Sequence, residues 1–175
     1  MQPNIDDVKK KIQANRDLVD RITVKFPGFR GYVEKAESYD ADRILRNLLS
    51  DRIQGFKNEI HAKCAELEKK QDRANLPDLD ALSIQMETVI KKCRYADFGA
   101  ASTASGITIS EDDKNRLLEY DWRLISSLDD LEKDVSAVRA AAPENPGEVI
   151  SRIADTLGKF EKNFDERKNV LLEVL

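Results

Sequence analysis

The chain has 175 residues, with 29 Lys and Arg against 33 Asp and Glu, and a formal net charge of −4. This length suits one domain with a substantial core and is short for two. Only 6% of the residues are aromatic, and 7 Gly and 5 Pro are few for the turns of a β-sandwich or β-barrel. The abundance of Ala, Leu, Glu and Lys favours long helices instead. The sequence therefore predicts one all-α domain over residues 1–175.

The charge differs between the two halves of the chain. Residues 1–75 hold 16 basic and 13 acidic side chains, and residues 76–175 hold 13 and 20, which gives +3 and −7. Neither half has the clustered basic surface of a nucleic-acid-binding protein, so no nucleic-acid partner is expected. No apolar run approaches the roughly 20 residues of a membrane span, and no secretory signal is recognised. Two distant cysteines do not make a disulfide framework, so we expect a cytoplasmic protein with reduced thiols and no cofactor.

The first predicted helix covers about Asn4–Lys25. Its apolar residues from Ile5 to Phe26 alternate spacings of three and four, the coiled-coil period. Asn15 is the polar member of this row and either fixes the helix register or lies solvated at its edge. The basic run Lys9–Lys11 leaves open a membrane-surface scaffold, although flanking acids favour an ordinary solvated helix face.

Four further helices are predicted at the same apolar period. Their approximate bounds are Tyr32–Ala74, Asp78–Phe98, Ser110 onward and Gly147–Val174. The small-residue stretch 99–110 is expected to be a flexible loop. The fourth and fifth helices are expected to form a long antiparallel hairpin. The predicted fold is an elongated antiparallel bundle of about five helices with coiled-coil-like packing.

A hairpin centred on Pro77 would set the third predicted helix against the second. This arithmetic places Cys93 near His61. It also places Gly55 where the first and third helices meet end to end, which would give this glycine a packing reason, because a mid-helix Gly costs about 1 kcal/mol against Ala.

The richest local motif runs over residues 26–46. Its Pro-Gly pair suits a tight turn, its aromatic residues are expected to plug one end of the bundle, and its arginines are placed to pair with nearby acids. The segment resembles the Pro-Gly-[Tyr/Phe]-Arg-Gly-Tyr…Ala-Asp-Arg-X-Leu-Arg pattern of a set of uncharacterised helical proteins from bacteria and archaea. That set has no established activity, so the resemblance implies no catalytic residues. The alternative to a structural clasp is a partner- or anion-binding surface, with candidates Phe29, Arg30, Tyr32, Arg43 and Arg46.

A thiol and imidazole cluster is the sharpest chemical candidate. His61 and Cys64 are three residues apart on one helix face, and the hairpin arithmetic adds Cys93 as a third metal or redox ligand. The alternative is that both cysteines are buried packing thiols, because both fall in apolar stripes. The chain has one His, so it lacks the two Glu-X-X-His motifs of a ferritin-like di-iron site. It also lacks a phosphate-binding loop and a nucleophile elbow.

These observations favour a non-enzymatic structural or protein-interaction module that presents a helical surface to an unidentified protein partner. The heptad rows also permit a homo-oligomer, and an interface of that kind would show at their polar members, Asn15 and Arg167. A metal- or thiol-dependent site and a membrane-surface scaffold through the first helix remain the alternatives.

Overall fold

The computed structural model describes residues 38–96, 111–140 and 146–174, together with Asp17, Asp20, Arg21, Thr23 and Val24. These residues contain four long helices and no strand: α1 Ser38–Lys69, α2 Leu76–Tyr95, α3 Glu111–Arg139 and α4 Pro146–Val174. The all-α class is therefore confirmed. Most of the first predicted helix and the predicted loop at 99–110 lie outside the described residues. A fifth helix and coiled-coil-like packing accordingly stay predictions.

Helix α1 ends in a hydrogen-bonded cap that reverses the chain toward α2. The N–H of Gln71 donates to the carbonyl of Glu68 at 3.0 Å, and the N–H of Asp72 donates to that of Leu67 at 3.0 Å. This pair of bonds is the Schellman arrangement, in which the residue after the helix takes a left-handed conformation. Gln71 takes that position with φ 56°, where Gly is the usual residue. Helix α2 then begins with a proline in its first turn, a position that proline favours.

The core lies between the four helices and is apolar along most of its length. Buried apolar side chains recur every three or four residues on each helix, so each helix turns one stripe inward. The buried apolar residues are Leu45, Leu49, Ile53, Phe56, Ile60, Cys64, Leu79, Leu82, Met86, Val89, Ile90, Cys93, Leu124, Ile125, Leu128, Leu131, Val135, Val138, Ile150, Ile153, Leu157, Phe160 and Phe164. The sequence period therefore located the core stripe of every described helix.

The helices follow the cyclic order α1, α2, α4, α3 around this core. Helices α3 and α4 form an antiparallel hairpin, because Asp134 pairs with Arg152 while the earlier Asp121 pairs with the later Arg167. This confirms the hairpin predicted for the last two helices. The wide apolar face of α3 also contacts two neighbours, as its width indicates.

The two hairpins lie side by side with their helices in parallel pairs. Gln85 of α2 binds the carbonyl of Ala154 on α4, and Lys92, further along α2, binds Glu161, further along α4. Contacts that advance together on both helices show that α2 and α4 run in the same direction. Helices α1 and α3 also run in the same direction, because Arg52 pairs with Asp129 and, further along both helices, Glu59 pairs with Arg139.

The register of the α1–α2 hairpin differs from the register predicted for it. His61 lies against Ser83, and Cys93 lies at the level of Arg46. The predicted neighbour of His61 is Cys93 and the observed neighbour is Ser83, and these two residues lie ten positions, or about 15 Å, apart along α2. The prediction was wrong because it placed the turn at Pro77, whereas the chain turns over residues 70–75 and Pro77 starts the next helix.

The observed register also places the end of α2 away from Gly55, because the last turn of α2 lies beside Arg46. Contact between Gly55 and the first predicted helix lies outside the described residues. Gly55 is exposed in the middle of α1, and a Cβ built on it meets no heavy atom of the described residues within 4 Å. Helix α1 therefore carries the propensity cost of this glycine without a visible close contact to explain it.

Candidate functional site

Polar pairs line the outer seam where α1 meets α2. The Nε2 of His61 lies 2.5 Å from the Oγ of Ser83, whose side chain is buried. One turn away, Lys57 pairs with Glu87, which also accepts from Lys91 at 3.2 Å. Hydrogen bonds from Lys57, and then from Lys91, lower the pKa of Glu87. These contacts fix the two helices in register.

The structure does not bring His61, Cys64 and Cys93 together. His61 and Cys64 share one end of the α1–α2 hairpin, and Cys93 lies near its opposite end for the register reason given above. Among the described residues, which include all three, no group of three or more His, Cys, Asp or Glu side chains could hold a metal ion. The geometry therefore gives no support to the predicted metal site.

Both cysteines have the environment of packing thiols. Cys93 is fully buried, and burial raises its pKa from 9.0 to about 12 despite the opposing charges of Arg46 and Lys92. Burial, followed by the charges of Asp80 and Glu68, also raises the pKa of Cys64. A thiol attacks or binds metal as its thiolate, so both groups are in the unreactive form at neutral pH.

Of the two predicted binding residues that the structure describes, Arg46 has a buried side chain. Its Nη1 donates to the carbonyls of Cys93 at 3.3 Å and Arg94 at 3.2 Å, in the last turn of α2. Carbonyls at a helix end lack partners within the helix and carry the negative end of its dipole, so a guanidinium stabilises them. Arg46 therefore acts as a cap for α2.

The other predicted binding residues divide into two groups. Arg43 is exposed on α1, one turn before Arg46. Phe29, Arg30 and Tyr32 lie outside the described residues. The resemblance of residues 26–46 to uncharacterised helical proteins likewise stays a prediction.

A buried ion pair joins α3 to α4. The Nε of Arg167 donates to Oδ1 of Asp121 at 2.6 Å, and its Nη2 lies 3.4 Å from Oδ2. The side chains are only 1% and 8% exposed. Arg167 interrupts the apolar row of α4 and is one of the two positions at which the sequence predicts that a homo-oligomer interface would show. Its guanidinium is instead bound to Asp121 inside the bundle, so Arg167 does not mark such an interface.

Two ion-pair clusters, which we call clamps, join the two hairpins. In each clamp, one basic side chain of the first hairpin contacts two acidic side chains of the second. Arg52 of α1 contacts Asp129 at 2.9 Å and Glu132 at 2.6 Å on α3, with its guanidinium carbon 6.0 Å from the centre of the Phe56 ring. Each acid lies about one turn from the other, so one cation spans both. The clamp holds α1 and α3 at a fixed height relative to each other.

Lys92 makes the corresponding clamp between α2 and α4. Its Nζ lies 2.9 Å from Glu161 and 2.5 Å from Asp165. Partial burial lowers the pKa of Lys92, but the hydrogen bonds to the two carboxylates outweigh that effect and raise the pKa overall. The lysine therefore keeps its charge, and the clamp persists, throughout the neutral range.

The outer face of α2 is a second heptad-spaced row, opposite the buried one. We use this name for six residues that are all exposed: Pro77, Ala81, Ile84, Thr88, Lys91 and Tyr95. Their spacings are 4, 3, 4, 3 and 4, which places them along one side of the helix. Ile84 is 70% and Tyr95 75% exposed. This row was not predicted from the sequence, because only one apolar stripe was assigned to each helix.

A cleft of about 320 Å³ opens beside the outer face, between the first halves of α2 and α4. Small side chains form part of its lining, with Ala81 on α2 and Ser151 and Ala154 on α4. Gln85 also lines it and donates from its side-chain amide to the carbonyl of Ala154 at 3.2 Å. Its other lining residues are Asp78, Leu82, Gly147 and Ile150. The small residues leave room for a side chain of another helix.

Comparison with protein-family models, with curated proteins and with solved structures gives no match to this chain. Among the described helices, none is long and apolar enough to cross a membrane.

Proposed function

We propose that this chain is a non-enzymatic interaction module that docks a protein partner on the outer face of α2. The observation that carries the proposal is the exposure of Ile84 and Tyr95, at 70% and 75%, in one heptad-spaced row. Single exposed apolar residues are common on protein surfaces. Two large ones three turns apart on one side of a helix, beside a cleft lined by small residues, have the pattern of a helix-docking surface.

The rest of the bundle suits the role of a rigid support for this face. Arg46 caps the last turn of α2, and Lys92 clamps the same turn to α4. At the first turn, α2 follows the capped end of α1. A docking helix that is held at both ends loses little conformational freedom on binding, which favours affinity.

Two of the side chains that the sequence offers for chemistry, His61 and Cys93, are engaged in structural contacts. His61 is bonded to Ser83, and the thiol of Cys93 is buried with a pKa of about 12. These contacts favour a scaffold over a catalyst as the role of this chain.

Affinity purification of the tagged chain at native level, from cells that also express an untagged copy, tests this function. The wild type should retain a partner, whether another protein or the untagged copy. The pair Ile84→Glu and Tyr95→Glu should lose it, because two charges would be desolvated at the contact. Val24→Glu is the matched control, since Val24 is 81% exposed and lies outside α2. A partner that binds the α2 variant as well as the wild type would refute the proposal.

A further inference from the structure

We infer that the occupant of the outer face of α2 is a second copy of this chain, bound antiparallel across a two-fold axis. This inference rests on the proposed function and adds the identity of the partner. A two-fold interface joins the same surface of both copies, so that surface must be complementary to itself. The sequence of α2 meets this condition from one end to the other.

Charge is distributed along α2 in opposite signs at its two ends. Asp78 and Asp80 lie in its first half, whereas Lys91 and Arg94 lie in its last two turns. A two-fold axis between Gln85 and Met86 sets Asp80 of each copy level with Lys91 of the other. The opposite orientation, with the helices parallel, would set Lys91 against Lys91 and Asp80 against Asp80. Electrostatic complementarity therefore selects the antiparallel arrangement.

Lys91 and Asp80 are both accessible for this contact. The Lys91 side chain is 64% exposed, and its ion pair with Glu87 at 3.2 Å lies along its own helix. Asp80 is exposed beside the outer face. Two copies of the pair would form, one on each side of the axis.

The uncharged residues of the outer face match in the same register. At the centre, Ile84 of one copy lies close to the level of Thr88 of the other. At each end, Tyr95 lies within one residue of the level of Pro77, where the ring can cover the proline. Lys91 passes Ala81 at the mouth of the cleft, so its aliphatic stem has a small neighbour to pack against. The contact thus has an uncharged centre around Ile84 and a charged rim, a division that resembles the core and rim of protein interfaces.

Sedimentation equilibrium of the full chain tests this inference. The wild type should reach about twice the chain mass of 19.9 kDa. Ile84→Glu should sediment as a monomer, and Val24→Glu as a dimer. A wild type that stays monomeric at its highest soluble concentration would overturn the second copy as occupant. The proposed function would then be decided separately by the purification, where another protein can still be the partner.

Charge reversal tests the antiparallel register. Asp80→Lys and Lys91→Asp should each raise the dimer dissociation constant about tenfold, because each change sets two like-charged pairs opposite each other. The double variant carrying both changes restores opposite charges and should dimerise like the wild type. Circular dichroism of each variant checks that the helices persist. Failure of the double variant to recover dimerisation, with the helical content intact, would overturn the register.

Discussion

Breaking the buried ion pair between α3 and α4 should be among the most destabilising single changes in the described core. Asp121→Leu would leave the guanidinium of Arg167, 1% exposed, without its bidentate carboxylate. Removing one partner of a buried pair costs about 3–5 kcal/mol, because the other charge stays out of water. For a chain of this length that cost corresponds to a fall in Tm of roughly 6–20 °C.

The double variant measures the interaction between the two charges separately from the contacts that each side chain makes with its other neighbours. Asp121→Leu with Arg167→Met replaces both charged groups by apolar ones, so no charge stays buried at this position. Its free energy of unfolding should therefore exceed that of either single variant by about 2 kcal/mol or more, and the two single effects should not add. Additive effects would mean that the two charges do not act as a pair.

Urea unfolding followed by far-UV circular dichroism measures all four corners of this cycle. The matched control is the surface pair of Asp130 and Lys133, whose side chains are 69% and 75% exposed. Its variants should change the free energy of unfolding by less than about 0.5 kcal/mol. A loss at Asp121 as small as the loss at this surface pair would refute the argument from burial.

Three further changes test individual positions. Gln71→Gly should raise the free energy of unfolding by about 1 kcal/mol, because φ 56° strains any residue except Gly; no gain in urea unfolding would contradict the α1 cap. Gly55→Ala should raise it by about 1 kcal/mol, since a Cβ there meets no heavy atom of the described residues; a loss of stability would mean that another part of the chain packs closely on Gly55. Iodoacetamide at pH 8 should label Cys93 only as fast as the protein unfolds, and equal rates in folded and unfolded protein would contradict its burial.

The sign of the thiol effect on stability follows from the raised pKa. Folded Cys93 holds its proton up to about pH 12, whereas the unfolded thiol loses it near 9.0. Its contribution is therefore complete below pH 9 and is lost as the pH rises toward 12. The difference in free energy of unfolding between wild type and Cys93→Ala should shrink over that window. A difference that grows with pH would contradict the assignment.

The helices and their core stripes could be predicted because the apolar period of this chain is regular. The predicted starts at Asp78 and Gly147 lie within two residues of the observed starts of α2 and α4. Proline and acidic residues mark both starts, and these signals are local in the sequence. Local signals of this kind need no knowledge of the partner helix.

The hairpin register could not be read the same way. It depends on how α1 ends, and the cap there uses Gln71 in a left-handed conformation instead of the glycine that marks most such caps. Without a glycine at this cap, Pro77 was the strongest turn signal in this part of the sequence. The turn was therefore predicted at Pro77. This error in the position of the turn is the reason that the sequence prediction placed Cys93 beside His61.

The charged residues inside the bundle were equally hard to place. Arg167 sits at a core position of the heptad, and the sequence does not say whether its partner is another chain or Asp121, which is 46 residues away. Arg46 was recognised as a candidate anion or partner ligand, but the carbonyls that it binds are backbone groups of α2. Backbone groups leave no residue-type signal in a sequence.

Photo-crosslinking from position 84 in living cells tests the central claim most directly. A benzophenone amino acid in place of Ile84 should form a covalent adduct, whereas the same group in place of Val24, 81% exposed outside α2, should not. The account predicts an adduct whose second component is the same chain, attached within the second copy's α2. The absence of any adduct from position 84 would contradict the claim that the outer face of α2 is a binding surface.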